Sequence, residues 1–143
     1  MKRATPKLRD FAERLIAQEA SVRKSSVTPY PAGFQACERL RPHLATLMGN
    51  TGFRALLSRA LALADAEVPW LRAAQVKADG SLEGLNELTA HVAPDEIANG
   101  QVILLAQLLG LLVAFIGKNL TLSLVREAWP KVRLDDLDFD DGG

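Results

Sequence analysis

One cysteine in 143 residues, Cys37, excludes an intrachain disulfide and any cysteine-rich zinc site. Histidine is almost as scarce. The one metal-like arrangement, Glu87, His91 and Asp95 spaced by four, occurs once and is interrupted by Pro94. A di-iron bundle needs Glu-x-x-His twice with two further carboxylates, so no metal is expected, and nothing supports a haem ligand or any other cofactor. The chain also lacks a Walker loop: Gly49 to Gly52 could open a helix toward an anion, but no Gly-Lys-Ser/Thr follows and no strand precedes it. No serine, cysteine or lysine sits in a pattern that marks an activated nucleophile, and the expectation is a protein that binds and does not catalyse. An apolar leader is missing as well. The first residues, MKRATPKLRDFAERL, are charged throughout, which reads as a cytoplasmic protein.

Net charge is zero, with 17 basic and 17 acidic residues, but the charges are segregated. Residues 1–61 carry 11 basic and 4 acidic side chains, net +7, and residues 62–100 carry 2 and 7, net −5. Residues 101–134 return to +3, and the last nine hold five aspartates and no base. Such asymmetry calls for internal pairing or for a partner that reads one sign of charge.

What the chain does have is a long apolar run, Val102 to Ile116 (VILLAQLLGLLVAFI), broken only by Gln107. A helix apolar on every side must be enclosed by other helices or by lipid. From Val102 to Gly117 such a helix rises about 24 Å, short of the roughly 30 Å hydrocarbon layer, and neither end has an anchoring Trp or Tyr. A central rod enclosed by its own chain is therefore the preferred reading, with membrane association through 102–117 as an alternative. Within the run Ala106, Gly110 and Ala114 place small side chains on one face, which fits a tight helix crossing and leaves a homodimer open. Gln107 must find a partner across a helix interface or face a water.

The remaining periodicities predict an all-α domain over residues 1–134: about five helices around the central one at 94–117. Thr5 and Pro6 start the first, which should run to Ala20 with Leu8, Phe11, Ala12, Leu15 and Ile16 inward. Two prolines and a glycine in Ser25 to Gly33 make an irregular connection. The second helix aligns Phe34, Cys37, Leu40, Leu44, Leu47 and Met48, so Cys37 reads as a buried small hydrophobe, His43 as a core-edge residue, and Pro42 as a kink or a junction at Arg41. Gly49 to Gly52 breaks the pattern, and the third helix places Phe53, Leu56, Leu57, Ala60, Leu61 and Ala64 inward up to Glu67.

Asp79 and Gly80, between Gln75-Val76 and Leu82-Glu83, have the signature of a small β-hairpin near 75–84. The acids after Pro94 suit the start of the central helix. A fifth helix from Asn119 or Thr121 turns Leu120, Leu124, Val125, Ala128 and Trp129 inward and stops at Pro130.

Two segments carry the functional expectation. The tail at 135–143 alternates Asp135, Asp136, Asp138, Asp140 and Asp141 with Leu137 and Phe139. Its charge repulsion disfavours regular structure alone, and its pattern fits an apolar groove with a basic rim, on a protein partner or on this chain. Function is thus expected to be that of an adaptor or assembly module using the acidic tail and a basic N-terminal surface; no particular partner is indicated. The alternative is a nucleic-acid-binding regulator through a helix-turn-helix-like segment at 41–60, in which Ala45 and Gly49 fit, Ala55 and Ser58 do not, and Arg54 and Arg59 would meet phosphates or base edges.

Overall fold

Proline opens the first helix, as its fixed φ and missing amide hydrogen favour. In the computed structural model, which describes residues 6–22, 32–73, 75–76, 82–83 and 92–130, α1 spans Pro6–Val22. Its inward stripe is Phe11, Ala12, Leu15 and, at the next position of that face, the carboxylate of Glu19. Apart from one two-residue strand pair, the described residues are helical: α2 (Ala32–Glu67), α3 (Pro94–Ile116) and α4 (Lys118–Ala128) follow.

Among the described residues four α-helical elements stand where five were expected, because the second and third follow each other across Gly49 within one 36-residue span. Gly49 alone in α2 leaves helical geometry, with φ 80° and ψ 160°. A backbone of positive φ and extended ψ is essentially restricted to glycine, so this residue divides α2 into a first arm, 32–48, and a second arm, 50–67. The helix runs on through Pro42, so the expected alternative of a junction at Arg41 does not occur. Pro42 is exposed, while Leu40 and Leu44 on either side are fully buried. Burying each leucine is worth about 1.5–3 kcal/mol, enough together to offset the roughly 3 kcal/mol cost of an interior proline.

α3 is the central rod. Ile103 to Ala106, Leu108, Leu109 and Leu112 are buried against α2 and α1, the two elements with which α3 packs most extensively. By length and composition α3 could cross a membrane, yet half of its most apolar window is enclosed by the rest of the fold. Gln107 is buried and its Nε2 donates to Glu67 Oε2 at 3.0 Å, which supplies the cross-helix partner that its burial requires. At the other end, Gly117 (φ 89°, ψ 159°) is the sole residue between α3 and α4. Its carbonyl accepts both the amide and the hydroxyl of buried Thr121, fixing the first turn of α4. Leu124, Val125, Ala128 and Trp129 face inward, but Leu120 is 40% exposed, because the inward face of α4 is made by Thr121, Leu124, Val125 and Ala128 and leaves position 120 at its edge.

Pro69–Ala73 forms a 3-10 turn after α2, with Leu71 fully buried. The expected hairpin is reduced to an antiparallel pairing of two residues per strand, β1 (Gln75–Val76) with β2 (Leu82–Glu83). Two residues are too few for a sheet layer, so the core is made by helices alone. Cys37 is buried as expected, and burial, with a smaller contribution from Glu38, pushes its thiol up to about 12.

Candidate functional site

The enclosure of the central helix is incomplete at its C-terminal end, where the expectation of a fully shielded rod fails. Ala114 is exposed and Phe115 is 76% exposed, although both belong to the apolar run. Both lie in the last turn before the Gly117 junction with α4.

What lies beside Phe115 is a groove of about 450 Å³ between the second arm of α2 and the end of α3. One wall comes from Met48, Gly52, Ala55, Leu56 and Arg59, the other from Leu111, Phe115 and Ile116. Positions 52, 55 and 59 recur every three or four residues, which aligns them on one face of the second arm, with Met48 joining from the end of the first arm, and 111 and 115 share a face of α3. Small residues at 52 and 55 leave the floor open. A volume of this size lies within the range of small-ligand and peptide side-chain sites. Both glycine junctions frame it: Met48 immediately precedes Gly49 and Ile116 immediately precedes Gly117.

Electrostatics at the site are simple. Arg59 is the one charged residue in the lining and is exposed. Among the described residues no carboxylate pairs with it, so the groove offers apolar walls and one available guanidinium. Arg54 is half-buried, with its Nε enclosed and without a hydrogen-bond partner among the described residues. Several other bases of the N-terminal region are paired internally: Arg14 with Asp10, Arg39 with Glu19 and Arg41 with Glu38. The basic excess of that region is thus partly spent inside the fold. His43 sits at the core edge, its Nδ1 3.6 Å from Glu127 Oε1.

The residues singled out from the sequence scatter. Ala106 is inside the core, Gly110 is half-buried and Ala114 is exposed. A Cβ on Gly110 would stand 3.2 Å from Leu8 Cδ1, so the close approach permitted there is taken by α1 of the same chain. Ala55 and Ser58, which a helix-turn-helix needs buried, are exposed. Asp135, Asp136, Leu137, Asp138, Phe139, Asp140 and Asp141 lie outside the described residues, as do Glu87 and His91. No group of three His, Cys, Asp or Glu side chains suited to a metal ion occurs among the described residues.

Sequence reasoning missed two features. The groove was signalled by a second stripe, 52/55/59, next to the core stripe of the same arm. The second feature is a buried polar node. Glu19, fully buried on α1, accepts hydrogen bonds from Arg39 Nε and Nη2 of α2 and from Trp129 Nε1 after α4. Only the fold brings these three together.

Comparisons of the chain with protein-family models, with curated proteins and with solved structures gave no match.

Proposed function

We propose that this protein is a non-enzymatic interaction module whose groove between the second arm of α2 and the end of α3 receives a short apolar segment of a protein. The observation that carries this reading is Phe115, 76% exposed on the wall of a groove whose lining is otherwise almost wholly apolar. Leaving a phenylalanine in water forgoes roughly 1.5–3 kcal/mol of burial, which an apolar partner side chain recovers. Exposed aromatic walls beside a pocket are where binding energy concentrates in protein interfaces. Arg59 at the rim favours a segment that carries an acid beside its apolar residues.

The geometry supports this over a nucleic-acid reading, because the face carrying Arg59 is a narrow apolar groove and not a broad basic surface. It also supports it over a membrane reading, since the middle of α3, Ile103 to Leu109, is buried against α1 and α2.

The test is capture at native expression levels by the wild-type chain and by Ala55→Trp, which fills the groove from an exposed position. A stoichiometric protein partner retained by the wild type and lost by Ala55→Trp, with unchanged helical circular dichroism, is expected. Identical partners on both forms overturn the assignment of the groove.

A further inference from the structure

We propose that the groove has an occupant within this chain: the acidic segment Asp135–Asp141, seated in cis with Leu137 and Phe139 against Phe115 and its flanking aspartates at Arg59. This rests on the reading of the groove as a peptide-binding surface and names the segment that competes for it.

Three observations carry the inference. The first is the spacing of the segment. In an extended chain, residues two apart share a face, so Asp135, Leu137, Phe139 and Asp141 line one side, and Asp136, Asp138 and Asp140 the other. Two apolar side chains about 7 Å apart, bracketed by acids, match an apolar groove with a cation on its rim.

The second is charge. Arg59 is exposed at the groove and has no partner among the described residues, while the segment holds five aspartates and no base. One or two aspartates can neutralise the guanidinium while the others stay in water, so docking need not bury an unpaired carboxylate.

The third is reach. α4 begins directly after Gly117, next to the groove-lining Ile116, and ends at Ala128, about 16 Å along its axis. Leu137 and Phe139 lie seven and nine residues beyond Pro130, which lets an extended chain span up to about 23 and 30 Å. The tether can therefore return along α4 to Phe115. A short tether sets an effective concentration in the millimolar range, so even a weak contact is occupied most of the time. A protein partner must then displace the segment, and its apparent affinity falls by the fraction of grooves left open.

The experiment uses full-length protein and a fluorescein-labelled peptide of residues 134–143, read by anisotropy. The double variant Leu137→Ser/Phe139→Ser, with its own segment disabled, is expected to bind the peptide at least about tenfold more tightly than the wild type. Adding Ala55→Trp to the double variant should abolish that binding, and raising the salt should weaken it. Equal affinity of wild type and double variant overturns occupancy in cis, as does failure of the double variant to bind the peptide. A concentration-dependent dimer in the wild type, absent from the double variant, would place the segment in a second copy's groove and also overturns it. Failure of the broader reading is separable: an anionic apolar dye, anilinonaphthalene sulfonate, should bind the double variant and be lost with Ala55→Trp whatever the peptide does.

Discussion

The indole Nε1 of Trp129 donates to Glu19 Oε1 at 3.0 Å, joining positions 110 residues apart in sequence. Glu19 is fully buried, and Arg39, on α2, holds both oxygens of the same carboxylate. The node thus ties α1, the first arm of α2 and the end of α4 at one point. A buried carboxylate is tolerated only when its acceptor sites are filled, and here three donor groups fill them.

Truncating that node has an expected order. Glu19→Ala leaves a partly buried guanidinium and a buried indole N–H without their acceptor, so a loss of about 3–5 kcal/mol is expected. Trp129→Phe removes one donor and leaves the Arg39 pair in place, for about 1–3 kcal/mol. Urea denaturation followed by circular dichroism separates the two. Equal losses would show that the charge pair contributes nothing beyond the indole bond.

Two glycines should resist substitution for a reason unrelated to space. A Cβ on Gly49 or Gly117 would meet nothing within 4 Å, yet both residues hold positive φ with extended ψ. Gly49→Ala and Gly117→Ala should each lower stability by about 1–3 kcal/mol through backbone strain alone. Thermal unfolding checks this, and an unchanged midpoint in either variant refutes it.

Gly100 presents the opposite case. Its conformation is ordinary helix, but a Cβ there would stand 2.5 Å from Cζ2 of Trp70. Gly100→Ala must push the indole aside, costing about 1–3 kcal/mol. In a Trp129→Phe background Trp70 is the only tryptophan, so its displacement should appear as a shift in emission. No spectral change would show that the indole keeps its place.

Cys37 makes the stability of the protein sensitive to alkali. Burial raises its thiol from 9.0 to about 12, so the unfolded chain loses this proton at lower pH than the folded one. The stabilising contribution is complete below about pH 9 and is lost as pH rises from 9 to 12. Chemical denaturation across that range should show the decline in the wild type and a flatter limb in Cys37→Ala. The native thiol should also resist iodoacetamide at pH 8 and react once the chain is unfolded.

The helices were legible because their apolar spacing is regular. Phe11, Ala12 and Leu15, or Phe53, Leu56, Leu57, Ala60 and Leu61, repeat at the helical period, and burial follows from that repeat whatever the neighbours are. Leu120 shows where this reasoning stops. Its burial depends on the rotational phase of α4, which turns Thr121, Leu124, Val125 and Ala128 inward and leaves position 120 at the edge. Pro42 shows the same from the other side: its local penalty is real, but packing of Leu40 and Leu44 outweighs it.

By composition and period alone, then, the chain specified an all-helical domain with an apolar central rod, a buried Cys37 and a Gln107 in need of a partner. Local spacing is enough for these, since each depends on which residues share a helix face. Tertiary structure alone decided how far the rod is covered, that Glu19 meets Arg39 and Trp129, and that Phe115 stands beside an open groove. Those outcomes depend on how helices distant in sequence are set against one another, and the angles at Gly49 and Gly117 that set them leave no trace in apolar periodicity.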